Sequence, residues 1–166
     1  MMEEQDKIIT LLKKLDINYQ LIQHPAVYTA DEADNYVQAY NFARAKNLFL
    51  RNSRGFFLVM VGDQQHLDMY QLKQQLATTR LSFAKPAELE QELGIYPGAV
   101  SPFNLINDHQ HRVTLVISQQ LLAENSLVGC HPNDNTATVV LKFTDLLALI
   151  QRWGNPVRIL DLGPLA

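Results

Sequence analysis

Lys46-Asn47-Leu48-Phe49-Leu50-Arg51-Asn52, Ser53-Arg54-Gly55 and Phe56-Phe57-Leu58-Val59-Met60-Val61 run consecutively in the chain. Two apolar runs around a glycine-bearing turn predict a β-hairpin. Val59-Met60-Val61 does not alternate with polar residues, so the second strand is expected to be buried on both faces. Lys46 shares its parity with Leu48 and Leu50. If those two face inward, Lys46 stands at the mouth of the core side. A cation there can hold a phosphate or polarise a carbonyl, although an ordinary strand-end lysine has the same spacing.

Upstream of the hairpin, residues 3–15 predict an amphipathic helix, with Ile8, Leu11, Leu12 and Leu15 on one face. Tyr19 to Ile22 reads as a short strand, and His24-Pro25 opens a loop. Thr29 and Glu32 have the spacing of a capping box before a helix over about 30–40. Downstream, Leu67 to Leu76 predicts a helix. Another runs from Pro86 at its first turn to Gly94 just past its end. Residues 95–108 are irregular. Strands are expected over Val113–Ile117, Leu127–Pro132 (ending in a corner) and Ala137–Leu141, with a last helix over about 144–152. Strands and helices intermix without a βαβ period. The expected class is α/β: a mixed, largely antiparallel central sheet with surrounding helices, in one domain over residues 1–166.

Composition narrows the function. Apolar residues make up 47% of the 166, which suits a folded core. No apolar run approaches the ~20 residues of a membrane span. The acidic N-terminus lacks the basic and apolar regions of a signal peptide. One cysteine, Cys130, allows no internal disulfide. These features predict a cytoplasmic protein with no membrane contact. A net charge of −3 argues against a protein that coats nucleic acid, but not against one that touches the end of an RNA.

The irregular stretch holds Gly98-Ala99-Val100-Ser101-Pro102. Gly98 can adopt positive φ or admit a ligand close to the backbone, and Pro102 stiffens the exit. N–H groups between them could face a pocket and stabilise an oxyanion. An ordinary Pro/Gly connector would read alike. Cys130 and His131 are adjacent in a strand, so they point to opposite faces and do not form a thiolate–imidazole pair. His131 precedes the corner at Pro132, with Asn135 and Thr136 close behind. Ser101 lacks a nucleophile-elbow pattern. His109-Gln110-His111 lies in a polar loop with no Cys/His quartet, so no metal is expected.

Several blocks now stand in order. They are His24-Pro25-Ala26-Val27-Tyr28-Thr29, Lys46 to Leu50, Arg80 to Ala84, Leu93 to Phe103, His131 to Thr138, and Asp145-Leu146-Leu147. Together, over about residues 20–152, they resemble the YbaK / aminoacyl-tRNA synthetase-associated domain family. The likeness is nearest to its free-standing prolyl-tRNA editing members, which act on alanyl-tRNA(Pro). The resemblance implies hydrolysis of the ester joining an amino acid to the terminal adenosine of tRNA, without a cofactor. It places the backbone of Gly98, Ala99, Val100, Ser101 and Pro102 near the scissile carbonyl, and Lys46 at the carbonyl or terminal phosphate. It places His131 in the amino-acid pocket; His24, Thr29, Phe103, Asn135 and Thr136 are further candidates for substrate contact. The attacking group is water, helped by the ribose hydroxyl of the substrate. The implied partners are the acceptor end of a mischarged tRNA and a prolyl-tRNA synthetase. Cysteine, serine or threonine as the amino acid, and a non-catalytic tRNA- or synthetase-binding module, are the alternatives. Ser118 stands where many relatives would carry Asp, and residues 34–45 lack the glycine often found before the family lysine.

Overall fold

In the computed structural model, which describes residues 3–166, the elements follow in order. They are α1 (Glu4–Lys14), β1 (Tyr19–Gln23), α2 (Ala30–Tyr36), β2 (Ala45–Asn52), β3 (Gly55–Gly62), α3 (Met69–Gln75), β4 (Ser82–Phe83) and α4 (Pro86–Leu93). A 3-10 segment (Pro102–Asn107), β5 (Val113–Ser118), α5 (Gln119–Glu124), β6 (Leu127–Cys130), β7 (Ala137–Lys142), α6 (Phe143–Trp153) and β8 (Val157–Leu160) complete the chain.

The hairpin of β2 and β3 forms as its apolar runs predict, with Asn52 paired to Gly55 at the turn. Leu58, Val59, Met60 and Val61 are fully buried. Their alternate side chains enter two different cores. Leu58 and Met60 join the larger one with α1, α4 and α6, while Val59 and Val61 join a second with α3 and the C-terminal strand. That two-sided burial explains why the strand lacks polar residues.

The mixed α/β class is as expected, but the strands divide into two sheets. One is antiparallel, in the order β1-β7-β6. The other runs β4-β2-β3-β5-β8, antiparallel through β4, β2 and β3, then parallel from β3 to β5 and β5 to β8. Helices are needed to connect parallel neighbours, and α3, α4, α5 and α6 lie along those connections. The sheets meet where Ala43 pairs with Val128, the Ala43 N–H donating to Leu127 O at 2.8 Å.

Local chemistry sets the boundaries. Thr29 caps α2 by accepting from the Glu32 N–H, but Glu32 reaches back to the Tyr28 N–H, one residue beyond the usual box. The helix ends at Tyr36 rather than near 40. The Arg44 guanidinium takes the Val37 and Tyr40 carbonyls at 2.8 and 2.6 Å and holds that stretch as turns. Ser118, the residue that departs from the family pattern, accepts from the Leu121 N–H and starts α5. Gly94 ends α4 in the left-handed conformation, as its position predicts.

The seam between the sheets is tight at Gly129. A Cβ there would overlap the buried ring of Phe42, over which Arg44 is stacked at 3.7 Å. Gly129→Ala is therefore expected to lower stability by about 1–3 kcal/mol. The readout is a lower urea midpoint at unchanged slope.

Candidate active site

A cleft of about 270 Å³ opens over the start of β2. One wall is Val27 to Ala30 with Ala33 and Asp34; another is Ala45 to Leu48; Gly98, Val100 and His131 close it. Its volume lies near the lower end of the range for small-molecule sites. It continues into an inner recess of about 40 Å³ bordered by Asp34, Arg44, Asn47, Cys130, His131 and Thr138.

Hydrogen bonding sorts the residues of the Gly98–Pro102 loop. The Ala99 N–H donates to Tyr96 O at 3.2 Å, and the Ser101 N–H donates to Asn104 Oδ1 at 2.7 Å. Pro102 has no N–H. Ala99, Ser101, Pro102 and Phe103 are buried, so they form the support behind the wall and do not line the cleft. Gly98 and Val100 do line it, and their N–H groups have no partner among the described residues. Gly98 adopts φ +98°, and a Cβ would meet Tyr28 Cδ1 at 3.1 Å and Asn135 Nδ2 at 3.4 Å. Both the conformation and the close approach require glycine.

Three asparagines hold this loop against the His131 corner. Asn104 Nδ2 donates to Ala99 O and to Asn133 Oδ1, the latter at 2.7 Å. Asn135 Nδ2 donates to Val27 O at 2.6 Å, and its Oδ1 accepts from the Tyr96 hydroxyl at 2.8 Å. Asn135 is thus a buried staple rather than part of the cleft lining. Thr136 binds back to Asp134 through its hydroxyl and supplies its carbonyl to the His24 N–H, so its role is also structural.

The two histidines face one another edge-on at 5.9 Å between ring centroids. His131 Nδ1 lies 2.8 Å from Ala137 O, and His24 Nδ1 lies 2.9 Å from Pro25 O. Carbonyls only accept, so each Nδ1 carries the proton and a neutral ring leaves Nε2 as an acceptor. His24 Nε2 accepts from the Thr138 hydroxyl at 2.9 Å. His131 Nε2 has no partner among the described residues. Burial, with His24 alongside, holds the His131 imidazole below its ordinary range. Burial pushes the Cys130 thiol up to about 12, so it stays protonated.

Lys46 lines the cleft and makes no hydrogen bond or ion pair among the described residues. Thr29 sits on the rim as the cap of α2. Asp34, Arg44, Asn47, Tyr28 and Thr138 also belong to the cleft or its recess; the sequence held Tyr28, Asn47 and Thr138 only inside motif blocks and assigned none of the five a place in the site. Thr138 was legible as the last residue of the block His131 to Thr138. Asn47 has the opposite parity to Lys46, yet both border a cleft that lies over the strand end. The Asn47 side-chain oxygen is buried with no partner among the described residues.

Burial raises the Asp34 carboxyl to about 7, helped by a hydrogen bond and the negative charge of Asp63. The folded chain therefore keeps this proton to a higher pH than the unfolded chain. The contribution of this group to stability is fully present below the ordinary carboxylate range and is lost as pH rises through about 7. Asp34→Asn removes that loss. Its melting temperature is expected to exceed that of the parent by a margin that grows from about pH 4 and levels off above about pH 7.

A model of the aminoacyl-tRNA editing domain matches residues 24–149. The chain is 37% identical over 164 residues to the prolyl-tRNA editing protein ProX of Acetoanaerobium sticklandii, covering 97% of this chain and 99% of the relative. It is 32% identical over 142 residues to prolyl-tRNA synthetase associated domain-containing protein 1 of Danio rerio, covering 84% and 77%. A solved structure described as a candidate trans-editing enzyme for prolyl tRNA synthetase shares the fold, with a TM-score of 0.76 at 20% identity over 99% of each chain. No helix among the described residues is long and apolar enough to cross a membrane. The loop, the histidine corner and the strand-end lysine fall within the matched span, and the chain belongs to the aminoacyl-tRNA editing domain family.

Proposed function

We propose that this protein hydrolyses the ester of mischarged tRNA(Pro), with alanyl-tRNA(Pro) as its substrate. The observation that carries the reading is the pair of unpartnered N–H groups, Gly98 and Val100, on the same cleft as Lys46. Two fixed donors and a cation suit an ester carbonyl whose oxygen gains charge as water attacks. The names of the relatives, a prolyl-tRNA editing protein and prolyl-tRNA synthetase associated proteins, support tRNA(Pro) as the carrier.

An aminoacyl ester is already activated, so positioning and oxyanion stabilisation suffice without a protein nucleophile. Water attacks the carbonyl carbon, the carbon–oxygen bond to ribose breaks, and the ribose oxygen takes the proton. The neighbouring ribose hydroxyl orients the water. The lone pair on His131 Nε2 and the Asn47 oxygen offer acceptors to the α-ammonium group. The recess beyond them, about 40 Å³, suits a methyl side chain. A small recess excludes larger side chains by size, a stronger discriminator than affinity between near neighbours.

The test is deacylation of alanyl-, cysteinyl-, seryl-, threonyl- and prolyl-tRNA, with and without prolyl-tRNA synthetase. Alanyl-tRNA(Pro) is expected to be cleared and prolyl-tRNA(Pro) spared. Preference for a larger amino acid overturns alanine as the substrate. Lys46→Ala and Gly98→Ala are each expected to lower kcat by about a hundredfold or more while the chain stays folded. Full activity in both variants removes the cleft from the mechanism. Activity should also fall in acid, below the ordinary imidazole range, as His131 gains a proton and loses its lone pair.

A further inference from the structure

Tyr28 is the most exposed large apolar side chain among the described residues, at 66%, yet it sits at the cleft. Its backbone N–H is held by Glu32, and its ring lies over Gly98, where a Cβ would come within 3.1 Å of Cδ1. Its hydroxyl makes no hydrogen bond among the described residues. A ring that is packed at one edge, open on the rest and fixed at its backbone keeps most of its apolar area free to be buried by a ligand. Such a surface suits a flat ligand. Lys46, a cation without an ion pair among the described residues, borders the same cleft.

We propose that Tyr28 is a stacking platform for the unpaired terminal base of the RNA, beside the ester-bearing ribose. The inference rests on the proposed tRNA substrate. Unstacked bases at RNA ends are commonly taken up on aromatic faces, and a ring next to a cation matches a base next to its phosphate. Stacking of this kind tolerates any base, so Tyr28 contributes to binding and positioning, not to the choice of tRNA. Exposed Tyr36 is a weaker platform because its ring already stacks on His24 at 5.8 Å. Tyr96 is tethered through its hydroxyl to Asn135.

The test uses an acceptor-stem RNA hairpin ending in 2-aminopurine in place of adenine. Quenching of its fluorescence on binding reports stacking. Tyr28→Phe is expected to keep the quench, and Tyr28→Leu to lose it with a roughly tenfold or greater rise in Kd. On alanyl-tRNA(Pro), Tyr28→Leu should raise KM by a similar factor and leave kcat nearly unchanged. Wild-type quench and KM in Tyr28→Leu overturn the platform. If the wild type deacylates none of the mischarged tRNAs, the proposed reaction fails, while Tyr28-dependent quenching still decides the stacking site separately.

Discussion

The buried amides of Asn104, Asn133 and Asn135 join segments that are far apart in sequence. Asn104 ties the Gly98 loop to the corner after β6, and Asn135 ties that corner to residues 27 and 96. A buried amide left unpaired is costly, because it loses its water without replacement. Here Asn104 and Asn133 bond to each other, Asn104 also to the loop carbonyl of Ala99, Asn133 to the Glu4 carboxylate, and Asn135 to Val27 O and the Tyr96 hydroxyl. The cleft is what remains when these three anchors have placed its walls. The N–H groups of Gly98 and Val100, on the cleft lining, have no partner among the described residues, whereas those of Ala99 and Ser101 are bonded.

The same constraint fixes the glycine. Asn135 and Tyr28 press against Gly98 from outside the loop, and its φ of +98° is unfavourable for an L side chain. The position combines a conformational need with a steric one. It also brings the backbone of the loop close to any carbonyl in the cleft, which is where preorganised donors act without reorganising during reaction.

Electrostatics divide the site further. His131 is held neutral by burial, Cys130 stays a thiol, and the Ser101 hydroxyl is engaged with the Phe103 N–H beneath the surface. Those three groups suit recognition and support, and in the proposed reaction the reactive character lies with backbone donors and the substrate ester. Asp34 and Asp63 concentrate negative charge at the end of α2, against which Arg44 acts. Arg44 also closes the turns after that helix and lies over Phe42 at the seam of the sheets. One guanidinium therefore links the rim of the recess to the join between the two layers.

The sequence by itself determined the hairpin, the apolar centre of β3, the end of α4 and the pairing of motif blocks with the editing-domain family. These are local or ordered features: alternation, turn residues, a glycine past a helix end, and motifs in a fixed sequence. It did not reveal β4, with two paired residues, nor α5 or β8. Nor did it show that the strands divide into two sheets, or that β3, β5 and β8 run parallel, since partners across a sheet are chosen by packing. For the site, residue types marked Lys46, Gly98 and His131 as candidates. Only the fold separated Gly98 and Val100, with open N–H groups, from Ala99 and Ser101, whose N–H groups are taken. Sequence lists donors and acceptors; which of them stay unpaired depends on contacts between residues as far apart as Val27 and Asn135, and only the tertiary structure forms those.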